Sequence, residues 1–252
     1  MTIIKCVVPI SGGKDSQACL QLALQDFDKS EIIGLFMDTK FEHPETYKHV
    51  EKMREMYGVV IISISAGSVD EKVRKYQRFP SFQSRHCTDE LKIRPSRIFY
   101  KALAEKQGRG FLVYYGMRSD ESAERAKRYN LKLSDEIYAP HEVMTKYPKY
   151  LAKMGVMFRM PVLDWTTEEI MEFLNGRHND LYNQGFDRVG CFPCLAGGDA
   201  WKNKAFTHDK FGEQQRIRVR VLEQEIGKSV FTSKGGLAKD QCSSSGCGFC
   251  DI

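Results

Sequence analysis

Six consecutive residues, Ser11-Gly12-Gly13-Lys14-Asp15-Ser16, bring together the parts of an anion cradle. They follow the apolar run Ile3 to Ile10, which reads as a buried strand. They lead into Ser16 to Phe27, where Cys19, Leu20, Leu22 and Leu24 fall at helical spacing. A strand that turns through glycine into a helix points backbone N–H groups at an incoming phosphate. Ser11 and Ser16 add hydroxyls, and Lys14 adds a compact positive charge. Asp15 stands where the common Gly-Lys-Ser/Thr phosphate loop needs a hydroxyl, so this turn is of another kind. An ordinary strand-to-helix turn requires none of these side chains.

Two further segments end apolar runs in the same way. Gly116-Met117-Arg118-Ser119-Asp120-Glu121-Ser122 follows the run Gly110 to Tyr115, with Arg125, Lys127 and Arg128 behind it. Glycine at a strand end allows close approach of a ligand, and arginine forks onto phosphate or sulfate oxygens. Lys14, Arg118 and Arg125 are therefore the candidate phosphate ligands. Asp38-Thr39 closes the run Ile32 to Met37, where Asp and Thr also serve as ordinary strand-end caps. Asp15 and Asp38 are the candidate Mg²⁺ carboxylates.

The cysteines form a third group. Cys6 and Cys19 sit in apolar segments and read as inert packing residues. Cys87, Cys191, Cys194, Cys242, Cys247 and Cys250 sit in polar, loop-like settings that favour metal or redox chemistry. Cys191-x-x-Cys194 and Cys247-x-x-Cys250 also have the paired spacing of a structural zinc site.

The elements that must position these residues alternate. Strands are expected at 3–10, 32–37, 59–64 and 110–115. Helices are expected at 16–27, 44–57, 67–76, 91–104, 166–174 and 213–226, and loops at 79–88 and 185–198. Such alternation implies an α/β fold with a mostly parallel sheet covered on both faces, whose ligands sit beyond the carboxyl ends of the strands. The division expected is a nucleotide-binding domain over 1–200 and a helical, Cys-rich tail over 201–252. With 42% hydrophobic and 28% charged residues the 252-residue chain is globular in composition. No apolar run approaches the roughly 18 residues that span a bilayer, so a cytoplasmic protein without a membrane partner is expected. The net charge of +5 suits polyanionic nucleotides without demanding nucleic acid. Basic residues from Lys202 to Arg220, with Trp201, Phe206 and Phe211 among them, read either as a nucleic-acid surface or as a solvated helix with buried aromatics.

The opening hexad resembles the SGGxDS signature of the PP-loop ATP pyrophosphatases of the adenine nucleotide alpha-hydrolase superfamily. From Ile3 to about Cys194, the chain is similar to the phosphoadenosine- and adenosine-phosphosulfate reductase family. The shared features are Cys87 and Lys92 in Cys87-Thr88-Asp89-Glu90-Leu91-Lys92, then Trp165, Tyr182, Gly185 and Cys191-Phe192-Pro193-Cys194. The resemblance implies a Rossmann-like three-layer sandwich. It also implies nucleotide contacts from Ser11 to Ser16, at Asp38 and Thr39, and at Gly116 and Arg118. For iron–sulfur members it implies a [4Fe–4S] cluster on a Cys-Cys pair and the later Cys-x-x-Cys. Here Cys87 matches the first of the pair and Thr88 replaces the second. The fourth ligand would then come from the tail, where Cys242, Cys247 and Cys250 are available, or the fourth iron would stay open to carry a sulfide. Zn²⁺ remains the alternative metal.

Reductases of this kind usually carry a degenerate glycine turn and a Glu-Cys-Gly-Leu-His tail. This chain keeps every position of the ATP-cleaving form and lacks that tail. The resemblance therefore implies an enzyme in which Lys14, Asp15 and Arg118 help ATP, with Mg²⁺, to adenylylate a substrate. Sulfur would then arrive from a donor protein, with a nucleic acid as candidate acceptor. Sulfonucleotide reduction, fed by an electron-donor protein, is the alternative. A non-catalytic nucleotide-binding protein with structural zinc is a third.

Overall fold

The computed structural model describes residues 2–81 and 83–232. In chain order the elements are β1 (Cys6–Ile10), α1 (Lys14–Asp26), β2 (Ile32–Asp38), α2 (Pro44–Tyr57), β3 (Val60–Ser65) and α3 (Val69–Tyr76). A short α4 (His86–Thr88) runs through a π turn, Asp89–Ile93, into α5 (Arg94–Gln107). Then come β4 (Leu112–Tyr114), α6 (Ala123–Tyr129), β5 (Ile137–Tyr138), α7 (Pro140–Val143), α8 (Tyr150–Lys153), β6 (Met157–Arg159), α9 (Thr167–Leu174), α10 (Asp199–Phe206) and α11 (Lys210–Ile226).

The sheet has six strands in the order β3-β2-β1-β4-β6-β5, all parallel except β5, which pairs antiparallel with β6 at the edge. Successive residues of a strand face opposite sides, so β1 feeds two cores. Val8 and Ile10 pack with Ala18, Cys19 and Leu20 of α1, Val50 and Met53 of α2, and Ile170 and Leu174 of α9. Val7 packs on the other face with Tyr100 and Ala104 of α5 and Leu151 of α8. These are the three layers the alternation implies. Cys6 and Cys19 are fully buried in that packing, and burial pushes both thiols well above their ordinary pKa.

The chain leaves β1 in one direction toward β2 and β3, and β4 pairs on the other side of β1. A crevice forms where neighbouring strands lead away in opposite senses, and the Ser11–Ser16 turn stands at that point. Pro95 sits in the first turn of α5, where a missing N–H is tolerated, and the π turn lies just before it.

The segment after residue 200 shares a core with the front of the molecule. Phe206 of α10 and Val219 and Leu222 of α11 pack with Val69 and Val73 of α3 and with Phe41, and Cys87 and Cys191 lie against the same cluster. Lys202 is buried, donates to the Val230 carbonyl at 2.6 Å and pairs with Asp199 at 2.8 Å. Trp201 and Phe211 pack around Phe186 and Phe192. Of the two readings of this basic stretch, buried aromatics under a helix is the one realised for Phe206, and Lys202 is no surface cation.

A buried polar network ties α1 to α2. His49 Nε2 lies 2.8 Å from Gln17 Oε1, and Gln17 Nε2 donates to Tyr57 Oη and to the Arg177 carbonyl. Burial lowers the His49 pKa to about 4. An imidazole held neutral in the fold but free to protonate in the unfolded chain stabilises fully above pH 6.5, and that stability is lost as pH falls toward 4. Urea unfolding should therefore show up to about 3 kcal/mol lost across that window. His49→Gln should flatten the dependence.

Candidate functional site

Gly12 has φ +74, and a Cβ there would stand 2.5 Å from the Thr46 methyl, so the turn admits only glycine at this point. The hydroxyls close the turn on itself. Ser16 Oγ donates to the Gly13 carbonyl at 2.9 Å and accepts from Ser11 N at 3.1 Å, while Ser11 Oγ accepts from Gly13 N at 3.3 Å. A Cβ at Gly116 would meet the backbone of Asp15 and Ser16 at 3.2 Å. That glycine lets the end of β4 come against the turn, and the approach is backbone on backbone.

Asp15 gathers two buried cations. Its Oδ1 accepts from Arg118 Nε at 2.6 Å and its Oδ2 faces Lys14 Nζ at 3.4 Å, with Lys14 4% and Arg118 3% exposed. The other Arg118 nitrogens are engaged too. Nη1 donates to the Trp165 carbonyl at 3.1 Å and to Asp120 at 3.2 Å, and Nη2 donates to Thr167 Oγ1 at 3.1 Å. Arg118 thus lines the cavity as a fully braced guanidinium that holds Asp15 in place. Each Asp15 oxygen thus already serves one cation.

A cavity of about 490 Å³ opens here, lined by Ser11, Gly13 to Ser16, Gly116, Arg118 and Arg125 together with Glu42, Lys92 and Gly190. That volume lies within the roughly 300–1,000 Å³ of small-ligand sites. Arg125 pairs with Glu121, which also faces Arg188 at 3.8 Å. Asp38 and Thr39 lie outside this lining. Asp38 Oδ1 accepts from Tyr47 Oη at 2.7 Å and Lys40 N at 2.8 Å.

Two residues with no role assigned from sequence, Tyr182 and Glu42, line the cavity. Tyr182 lays its hydroxyl 3.0 Å from Lys14 N, with Lys14 Nζ 5.4 Å from its ring centre. Asn179 donates to the Gly12 carbonyl at 3.2 Å. The segment leading to Cys191 therefore grips the turn. Glu42 is the second. Its buried carboxylate accepts from Thr39 N at 3.1 Å, Thr39 Oγ1 at 2.6 Å, Phe41 N at 3.2 Å and Tyr47 Oη at 3.3 Å. Cys191 Sγ lies 3.3 Å from Thr39 Oγ1 and 3.8 Å from Glu42 Oε1. A carboxylate flanked by Phe41 and His43 carries no spacing signal, so only the fold exposes it.

Lys92 lies within electrostatic reach of Cys191, Glu42, Cys194 and Cys87, which together raise its pKa and keep it charged. Burial pushes the Cys191 thiol up to about 12, and Lys92 opposes this. Burial, then Cys194, raises the Cys87 thiol, again against Lys92. Soft thiols around one fixed cation suit an iron–sulfur cluster in donor chemistry, since the ammonium offsets thiolate charge. Yet no three His, Cys, Asp or Glu side chains among the described residues stand in metal-holding geometry. Cys242, Cys247 and Cys250, and with them the zinc pairing, lie outside the described residues.

Lysine at position 118 would keep the charge but lose the planar fork that serves Asp15, Asp120, Trp165 and Thr167 together. Arg118→Lys should cost about 1–3 kcal/mol in urea unfolding and weaken nucleotide binding. Unchanged stability would mean that the braced guanidinium is not what fixes the turn.

A family model for the phosphoadenosine phosphosulfate reductase domain matches residues 5–196. An uncharacterized protein of Methanocaldococcus jannaschii is 31% identical over 193 residues, covering 75% of this chain and 36% of that protein. The chain thus spans about a third of that relative's length. The adenosine 5'-phosphosulfate reductase of Neisseria meningitidis is 24% identical over 200 residues, covering 73% of each chain. Among solved structures, phosphoadenylyl-sulfate reductase from Candida auris in its phosphate complex superposes with a TM-score of 0.49 at 17% identity, covering 76% of this chain and 83% of that one. The matched span runs from the strand before the glycine turn to just past Cys194, and over that span this chain belongs to the phosphoadenosine phosphosulfate reductase domain family.

Proposed function

We propose that this chain binds ATP in the glycine turn, adenylylates an acceptor and replaces the adenylate with sulfur. The observation that carries the reading is one cavity lined both by the intact Ser11–Ser16 turn and by Lys92, which lies within electrostatic reach of Cys87, Cys191 and Cys194. Nucleotide and sulfur chemistry would then lie side by side.

In the first step an acceptor oxygen attacks the α-phosphorus and the bond to the β-phosphate breaks, so pyrophosphate leaves. Lys14 and Arg118, buried and braced by Asp15, offer fixed positive charge to the leaving oxygens. Their geometry is set before substrate arrives, so little reorganisation is needed. Mg²⁺ would enter with ATP as part of the substrate. In the second step a sulfide-level nucleophile forms the carbon– or phosphorus–sulfur bond, and AMP departs with the acceptor oxygen. Cys87, Cys191 and Cys194, which would have to draw closer together than they stand here, would hold an iron–sulfur cluster, whose chemistry here is to carry sulfide or electrons. Lys92 would balance the thiolate charge, and Glu42 would fix the Cys191 loop through Thr39.

Family membership and the Neisseria relative favour a second reading, reduction of a sulfonucleotide. In it the same cradle would take a phosphosulfate. The two separate on products, because the first releases pyrophosphate from ATP and the second releases sulfite from a phosphosulfate.

Lys14→Ala removes the only side-chain cation contributed by the turn itself. Its pyrophosphate release from ATP should fall at least about a hundredfold while its unfolding midpoint stays near that of the parent. Sulfite release from adenosine phosphosulfate, with no pyrophosphate from ATP under any acceptor, would establish the second reading instead.

A further inference from the structure

We propose that the outer face of α5, with the Pro148–Tyr150 turn beside it, docks the phosphodiester backbone of a nucleic acid and so brings the acceptor to the cavity. The acceptor's fate rests on the adenylylating reading above, whereas the surface stands on its own geometry.

An open groove of about 710 Å³ is lined by Arg94, Arg97, Ile98, Lys101, Pro148 and Tyr150 among others. Positions 94, 97, 98 and 101 follow the i, i+3, i+4, i+7 pattern of a single helix face. The opposite side of the same helix, through Ser96 and Tyr100, lines the catalytic cavity, and Lys92 lies just before it. The neighbouring turn is shared in the same way, with Tyr147 in the cavity and Pro148 and Tyr150 in the groove. A polyanion in the groove would therefore lie about one helix diameter, roughly 10 Å, from the reacting space.

The charges are available. Arg94 is exposed and has no acidic partner among the described residues. Among the described residues Arg97 Nη1 reaches only the Lys146 carbonyl at 3.4 Å, and Lys101 meets Glu105, which also lines the groove, at 3.6 Å across an exposed surface, a pair of little strength. Lys149, between the two lining residues of the turn, is also exposed. Spaced three and four residues apart, the helix cations repeat about every 5 Å, which suits a string of phosphates better than one small anion. Between them Ile98 is 62% and Tyr150 41% exposed. Flat apolar and aromatic surface interleaved with cations is what unstacked bases recognise.

The test uses the full chain and fluorescence anisotropy with a labelled single-stranded RNA, the same sequence as DNA, and a folded RNA hairpin, beside calorimetric titration of ATP. Arg97→Glu/Lys101→Glu should weaken nucleic-acid binding at least about tenfold and reduce the salt slope by between one and two. The milder Arg97→Gln/Lys101→Gln should fall between, and ATP binding should be unchanged in both. The probe most weakened names the nucleic acid. Unchanged affinity in the charge reversal, or no binding of any probe by the parent chain, overturns the docking surface. If ATP fails to bind while nucleic-acid affinity follows the groove charges, the surface stands and the adenylylating reading falls.

Discussion

The contact between Asp15 and Arg118 joins what the chain keeps 103 residues apart. Asp15 belongs to the turn after β1, and Arg118 follows β4, the strand on the other side of the sheet's divergence point. Once these two are locked, the ends of both strands form one wall. Burial makes the lock strict. A guanidinium taken out of water needs partners for its donors, and here two carboxylates, a carbonyl and a hydroxyl take four of its five N–H groups. Lys14, held on the free oxygen of Asp15, then has a defined direction into the cavity.

A second set of contacts couples that wall to the cysteines. Asn179 and Tyr182 hold the glycine turn from above, and the same segment continues to Cys191, which pairs with Glu42 as an isolated β-bridge. Glu42 in turn collects Thr39 and Tyr47, so the end of β2 and the start of α2 belong to the same assembly. The Tyr182 hydroxyl lies on one of the amides that an incoming phosphate would need. A nucleotide entering the turn would therefore be linked to the position of the cysteine loop by one tyrosine and nine residues of chain.

Much of this was legible in the sequence where a strong apolar run meets an unusual turn. Ile3 to Ile10 with Ser11–Ser16, and Gly110 to Tyr115 with Gly116-x-Arg118, each announced an element and its working end together. β5 and β6 were not legible, because two and three residues are too few for any periodicity to register. α10 was absorbed into a basic stretch whose lysine turned out to be buried. The roles within the site were less readable than its location. Arg118 reads as a free phosphate fork, and in the fold most of its donors also brace protein groups. Asp38 reads as a nucleotide contact, and its Oδ1 also serves Tyr47 and Lys40. Glu42 has no motif at all. Sequence spacing reports which residues arrive at a strand end, but not which neighbours from distant segments take up their valences.

The central claim is that the amides and cations of the Ser11–Ser16 turn receive the phosphates of an adenine nucleotide. A crystal structure of the chain with a non-hydrolysable ATP analogue tests it most directly. The account predicts triphosphate density on the Gly13 to Ser16 backbone and beside Lys14, with the Tyr182 hydroxyl displaced from the Lys14 amide. Nucleotide bound elsewhere, with the Tyr182–Lys14 contact intact and the turn empty, would contradict it.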